Sequence, residues 1–263
     1  MAAVMLASGI HPREAADFAS KVTWGMVSDP PGFGGYVKGR FKLNEHLEQR
    51  ILTIYLAGNK FEHFMRTFIK DKSRVDIPAD ETEDVGIQLQ DTLVPVSVSG
   101  FDLLRLKGVN LTRGCAARAA RASAGFPGLF QPVKWMEMNS GVQRRWLPDS
   151  LLIDGGITDA LGLNGLSEHP SQKKKRVINL VVGDFGCLPS GIKDLPKGVN
   201  AESLVSISIV GTPMCGPWAM RNGPVAVEMA RQAMASIMDV PMERGTSHNH
   251  FVLRVDASKF RNL

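Results

Sequence analysis

Leu151-Leu-Ile-Asp-Gly-Gly-Ile157 is the stretch that decides the fold class, because a short apolar run ends there in an acidic residue and two glycines. Residues 151–153 predict a brief apolar strand. Asp154 then lies at the carboxyl end of that strand, where α/β proteins gather their functional groups. Gly155 and Gly156 have no Cβ, which lets the backbone turn sharply. The pattern predicts a carboxylate presented at the edge of a sheet.

A second motif lies upstream and makes the first one more specific. Asp-Gly-Gly alone is typical of an ordinary turn. Here it follows Arg121-Ala-Ser-Ala-Gly-Phe-Pro127, where a short Ala/Arg helix over residues 114–123 is closed by glycine and proline. The chain therefore carries two short glycine-containing turns, one after a helix and one after a strand.

The rest of the chain alternates between strand and helix patterns. Alternating or continuous apolar runs predict strands over residues 94–98, 109–112, 176–182, 204–210 and 251–255. Helical spacing predicts helices over 1–8, from Pro12, over 41–54, over 61–69, and from Pro224 with an apolar face of Val227, Ala230, Met234 and Ile237. No repeat or low-complexity linker interrupts this alternation. We therefore predict one layered α/β domain over residues 1–263.

Composition excludes several classes of protein. The 263 residues include 44% hydrophobic and 22% charged residues, which are ordinary globular values. No apolar run reaches the roughly 18 residues that a membrane span needs, and no basic segment precedes the apolar start as in a secretory signal. Cys115, Cys187 and Cys215 are too far apart for a C-x-x-C pair, which argues against a disulfide framework and a zinc site. We expect a cytoplasmic protein.

The two motifs together resemble the patatin-like phospholipase family. In that family a helix ends in an Ala-Ser-x-x-x-Pro turn and a later strand delivers Asp-Gly-Gly or Asp-Gly-Ala. The resemblance extends over about residues 1–165. Asp91 to Asp102 looks like the strand before the family's Thr-Asp turn, here Phe101-Asp102, and Met1 to Phe18 looks like the helix after the nucleophile. The resemblance implies an α/β fold with a patatin-like layered sheet that is flanked by helices and lacks the family's N-terminal strands.

The resemblance also implies a lipid acyl hydrolase that cleaves glycerolipid esters with a serine–aspartate dyad. Asp154 would be the general base, with Gly155 and Gly156 as the motif residues that shape its turn, and no metal or organic cofactor is implied. The expected partners are a lipid ester and, given the net charge of +5, a membrane or lipid-droplet surface that the protein visits peripherally. No nucleic-acid partner is expected.

The nucleophile itself is missing from the chain. No Gly-x-Ser-x-Gly occurs in the 263 residues. If the resemblance is aligned correctly, Met1 lies just after the family's serine, and both that serine and the oxyanion loop precede it. The chain alone is then expected to be inactive or nearly so. We also expect exposed apolar surface where the absent strands pair, and no serine hydroxyl within hydrogen-bond reach of Asp154.

Two alternatives remain at this point. One is a non-catalytic relative that binds lipid or a protein partner. The other keeps catalysis and uses Ser123, although Arg121 replaces the first glycine of the elbow and its Cβ would crowd a tight turn.

Three further motifs favour ordinary structural interpretations. His248 and His250 are predicted as exposed histidines at a strand end, and 173–176 as a solvated loop before a buried strand. The glycine-rich residues 32–35 are predicted as a surface loop.

Overall fold

A computed structural model of the protein describes residues 1–23, 58–75, 86–136, 150–168, 174–182, 195, 199, 201–215, 219–245 and 247–261. These residues include α-helices and strands in two sheets, which confirms a mixed α/β class. They belong to two compact units. The first contains Met1–Ala15 and Trp24–Gly165, and the second contains Ala16–Thr23 and Leu166–Leu263. The single domain over 1–263 stays a prediction.

The first unit contains a four-stranded antiparallel sheet. Its strands are β1 (Val98–Asp102), β2 (Lys107–Leu111), β3 (Val133–Trp135) and β4 (Ser150–Asp154), in the order β2-β1-β4-β3. Every described pairing is antiparallel, and Gly100 of β1 is the register partner of Asp154. Asp154 does end its strand as predicted. However, both described neighbours of β4 are antiparallel to it. The tendency of functional groups to gather at the carboxyl ends of parallel strands therefore does not explain the position of Asp154.

The predicted strand over residues 94–98 begins later than expected, at Val98. Pro95 has no amide hydrogen to give to a ladder. The amide of Val94 instead donates to the Ala7 carbonyl at 3.3 Å, outside the sheet. Its predicted partner over 109–112 is confirmed as β2, two residues earlier at its start.

Helices α1 (Ala2–Ala7), α3 (Asn59–Lys72) and α4 (Ala116–Ser123) belong to the first unit, and α2 (Pro12–Lys21) begins there. Phe61, Met65 and Ile69 are buried one turn apart along α3, which extends beyond both ends of the helix predicted over 61–69. All five alanines of α4 are buried, so this helix approaches β1 and β4 closely. The helix predicted over 41–54 lies outside the described residues.

Asp102 is a buried carboxylate that ties the β1–β2 turn to the start of β4. Its Oδ1 accepts from the amides of Leu104 at 2.9 Å and Leu151 at 3.3 Å. Its Oδ2 accepts from Arg105 Nη1 at 2.8 Å, and Arg105 also donates to the Ser150 hydroxyl. Burial raises the pKa of Asp102, but these hydrogen bonds outweigh it and hold the pKa below its ordinary value.

The second unit contains a sheet that is mostly parallel. Its strands are β5 (Lys174–Val182), β6 (Ala201–Val210), β7 (Met242–Arg244) and β8 (His250–Asp256), in the order β5-β6-β8-β7. The β5–β6 and β6–β8 pairs are parallel, and β7 is antiparallel to β8. Helix α5 (Gly223–Ala235) lies between β6 and β8 in the chain, as parallel strands require a long crossover.

The face that α5 buries overlaps the predicted one without matching it. Met229 and Ala233 are its buried residues, and they pack with Ile209 and Val255 of the sheet. Ala230, Met234 and Ile237 are only partly buried around this cluster, and Val227 is exposed. The helical period was predicted correctly, but a mostly apolar helix does not reveal which side faces the sheet.

Two further predictions in the second unit are wrong. The strand predicted as buried exposes Ile178, Leu180 and Val182, because successive side chains of β5 point to opposite faces of the sheet and only the other face is buried. Residues 174–176, predicted as a loop, are the first residues of this strand.

His250, predicted as an exposed strand-end residue, is fully buried. Its Nε2 lies 2.9 Å from the Ser206 hydroxyl, and its ring fits against Gly245, where a Cβ would come within 2.4 Å of it. His248 is exposed as predicted.

We expect Asp102→Asn to lower the free energy of unfolding by about 1.5–3 kcal/mol at neutral pH, because the charged hydrogen bonds are lost. The folded-state pKa of Asp102 is depressed, so its contribution is present above the ordinary pKa near 3.8 and disappears as pH falls through the folded value. Urea unfolding at a series of pH values measures this. The difference in free energy of unfolding between wild type and variant should narrow on acidification. A difference independent of pH would contradict stabilisation by the ionised Asp102 carboxylate.

Candidate functional site

Asp154 is the last residue of β4 and caps the short 3₁₀ turn Gly155–Ile157. The amide of Gly156 donates to Asp154 Oδ1 at 2.8 Å. The residue is half-buried, so one part of the carboxylate is held by the turn while solvent still reaches the side chain. The local sequence thereby fixes the orientation of the carboxylate from within its own motif.

Gly155 is required for a reason that the sequence did not predict. Neither glycine of the motif has a positive φ, so a sharp left-handed turn is not what selects them. A Cβ on Gly155 would lie 2.4 Å from the Ser99 carbonyl carbon and 2.7 Å from the Gly100 amide nitrogen. These are backbone atoms of β1 and cannot rotate away. The glycine is needed because the turn after Asp154 lies directly on the neighbouring strand.

Gly156 has a milder constraint. A Cβ there would lie 3.1 Å from Asp154 Oδ1. The bare Cα of Gly156 leaves the carboxylate room to accept the hydrogen bond from its amide.

The two sequence motifs meet at a backbone hydrogen bond. The Asp154 amide donates to the Gly125 carbonyl at 3.1 Å. Gly125 belongs to the turn that follows α4, within the Ala-Ser-x-x-x-Pro pattern. The spacing in sequence had suggested that these motifs act together, and the structure places them in direct contact.

The charge of Asp154 is disfavoured by its surroundings. Burial raises the pKa of this carboxyl, while the Gly156 hydrogen bond and the positive charge of the Met1 amino group lower it to a smaller extent. Burial also lowers the pKa of the Met1 amino group, and Asp154 opposes that shift. The Met1 amino group and the Asp154 carboxylate are therefore near enough for their charges to interact. A carboxyl with a raised pKa is a stronger base when it is ionised.

Within the described part of the chain, the Asp154 carboxylate has no hydrogen bond to a serine hydroxyl. Ser123, the alternative nucleophile, is the last residue of α4 and is half-buried. Over the same residues, no group of three His, Cys, Asp or Glu side chains is placed to hold a metal ion. No helix that the structure describes is long and apolar enough to cross a membrane.

Comparison of the chain with models of known protein families and with curated proteins found no match. The resemblance to patatin-like proteins therefore depends on the motif residues alone.

Gly155→Ala should destabilise the protein by about 1–3 kcal/mol or more, because the added methyl group meets backbone that cannot move without shifting β1. Thermal or urea unfolding measures the loss. Gly223→Ala is the matched control, since nothing lies within 4 Å of the position its Cβ would take. Equal stability of the two variants would show that the turn does not lie on β1 as described.

Asp154→Asn should increase the free energy of unfolding at neutral pH. The folded-state pKa of Asp154 is raised, so its ionised form opposes folding above that pKa, and this penalty disappears below the ordinary value near 3.8. The asparagine can still accept from the Gly156 amide. Urea unfolding should show that the variant's gain in free energy of unfolding over wild type becomes smaller on acidification. Asp91→Asn, at an exposed position, controls for the loss of one negative charge. A variant less stable than wild type at neutral pH would refute this electrostatic account.

Proposed function

We propose that this chain is the base-carrying part of a patatin-type lipid acyl hydrolase, with Asp154 as general base. The observation that carries the proposal is the Asp154–Gly125 hydrogen bond, which joins the family's two motifs. The proximity of the α1 start to Asp154 supports it as well, because the family's nucleophile lies immediately before that helix. Glycerolipid esters are the proposed substrates.

Each step of the proposed reaction assigns a defined role to Asp154. The carboxylate takes the proton from a serine hydroxyl as the serine oxygen attacks the ester carbonyl carbon. The protonated carboxyl then gives this proton to the departing alcohol as the ester C–O bond breaks, which leaves an acyl-serine. A water molecule attacks the acyl-serine while Asp154 accepts its proton, and the serine leaves with that proton. A raised pKa strengthens Asp154 as the base that removes the serine proton and then the water proton.

The serine has to come from a segment other than those carrying the two motifs. The sequence contains no Gly-x-Ser-x-Gly, and Asp154 has no serine partner among the described residues. Residues joined to the start of α1 would lie beside Asp154, because that end of the helix does. We propose that a Gly-x-Ser-x-Gly segment preceding α1 completes the dyad. On this proposal the chain alone does not form an acyl-enzyme.

The test is to express the chain together with the segment that its gene encodes before Met1, and to measure fluorophosphonate labelling and hydrolysis of a short-chain ester. We expect labelling and turnover for the extended chain and neither for residues 1–263 alone. Asp154→Asn in the extended chain should reduce turnover on the order of 10⁴-fold, because a nucleophile and its base act as a unit.

Asp91→Asn in the extended chain is the matched control and should retain activity. An upstream segment without Gly-x-Ser-x-Gly, or an extended chain that fluorophosphonate does not label, would refute the proposal. Labelling of residues 1–263 alone that disappears with Ser123→Ala would refute the upstream serine and favour Ser123 instead. Liposome binding without hydrolysis, unchanged by Asp154→Asn, would favour the non-catalytic relative.

A further inference from the structure

One end of the sheet in the first unit carries large apolar side chains that are exposed. Leu104 and Leu106, in the turn between β1 and β2, are 53% and 75% exposed, and Met136, directly after β3, is 58% exposed. The antiparallel register brings the end of β1, the start of β2, the start of β4 and the end of β3 to this same end of the sheet. We call Leu104, Leu106 and Met136 the apolar tip.

The backbone conformation of Leu106 is unfavourable for a leucine. Its φ is 50°, and among the residues that the structure describes it is the one other than glycine with a positive φ. In this region the Cβ of an L-residue comes too close to a carbonyl oxygen, so glycine or asparagine is the usual residue. The side chain also buries little of its surface within the chain. Neither backbone geometry nor core packing explains a leucine here, which favours a contact outside the chain.

Positive charge accompanies the apolar tip. Lys107 begins β2 and Lys134 lies in β3, and both are exposed without an ion pair to any described residue. Arg105 also lies in the turn, but it is paired with Asp102, which is the one carboxylate among the described residues of these strand ends. Residues 137–149 join β3 to β4 outside the described part of the chain, and their two arginines and two acidic residues cancel in formal charge. The two lysines therefore leave this end of the sheet positive.

We infer that the apolar tip inserts into an anionic membrane surface. Leucine and methionine side chains gain free energy when they are buried at the boundary between lipid headgroups and acyl chains. Lysines beside them can keep their ammonium groups among the headgroups, where anionic lipids attract them. A turn that projects from the end of a sheet can enter a bilayer without displacing other parts of the fold. The neighbouring positive charge matches the negative charge of such a surface.

The apolar tip is separate from the candidate site. It lies at the Ser150 end of β4, whereas Asp154 is at the other end of this strand, roughly 13 Å away along the backbone. The inference therefore does not depend on the proposed hydrolase. Membrane binding can be measured without a nucleophile, and its failure would not bear on the role of Asp154.

The test is sedimentation of residues 1–263 with vesicles of phosphatidylcholine, alone or mixed with phosphatidylserine. Wild type should bind the mixed vesicles more tightly, and added salt should weaken that binding. Leu106→Asn should weaken it about tenfold, because the burial of one leucine side chain is lost. Lys107→Gln and Lys134→Gln should each weaken it about fivefold on the mixed vesicles.

Leu106→Asn separates membrane binding from stability. Asparagine adopts a positive φ more readily than leucine, so the unfolding midpoint of this variant should equal or exceed that of wild type. Leu93→Asn is the matched control, because Leu93 is similarly exposed, at 55%, but precedes β1 and so lies beyond the opposite end of that strand. Lys70→Gln, at an exposed position of α3, controls for the loss of one positive charge. Both controls should bind as wild type does.

Three results would overturn the inference. The first is a wild-type chain that binds neither kind of vesicle. The second is binding that Leu106→Asn leaves unchanged, or that Leu93→Asn weakens equally. The third is equal binding to both kinds of vesicle that neither lysine variant alters, since the surface recognised would then not be anionic. Self-association that Leu106→Asn abolishes, in the absence of vesicle binding, would likewise refute the membrane and identify a second copy as the occupant.

Discussion

The contact of the Asp154 turn with strand β1 is the constraint on which the first unit depends. Gly155 can approach the Ser99 and Gly100 backbone only because it has no Cβ, and the neighbouring Asp154 amide is bonded to the Gly125 carbonyl. Together these contacts hold the end of β4, strand β1 and the turn after α4 at fixed distances. The carboxylate is thus positioned by backbone packing, which rotamer changes cannot relax. Rigid support of this kind is what a group that transfers protons requires.

Three carboxylates of this unit show how surroundings decide the role of a buried acid. Asp102 and Glu62 are compensated by amide and arginine donors, which favour their charged forms. Asp154 receives one amide hydrogen bond, and burial outweighs it. The first two stabilise the fold as ions, whereas the third is held in a state that opposes ionisation. An acid that is poorly compensated at the end of a strand opposes folding when it ionises, and groups with shifted pKa values cluster at functional sites.

Local patterns predicted the elements well, since α1, α3, α4 and β4 form where periodicity and capping residues indicated them. The sequence also predicted that Asp154 ends a strand and that its motif belongs together with the Ala-Ser-x-x-x-Pro turn. It could not predict the antiparallel pairing of β4, because pairing depends on distant segments. The sequence could not show why Gly155 is required, because a glycine can be selected either by a positive φ or by the close approach of another backbone segment. The sequence indicated Asp102 only as an altered turn residue. It could not predict the burial of His250, whose Nε2 contacts the hydroxyl of Ser206, 44 residues away.

Helix α4 lies between the Asp154 turn and a groove that it lines together with α3, and its two sides differ in chemistry. Its five alanines are buried and let the helix lie close to β1 and β4, while Arg118 and Arg121, three residues apart, face the groove with α3. The same short helix ends in the turn that bonds Asp154. Larger residues on the alanine side would move that turn away from β4. Loss of the outer charges changes the groove without touching the alanine packing. The two sides can therefore be altered separately, so substitutions of the alanines test the support of the Asp154 turn while substitution of Arg118 leaves that packing in place.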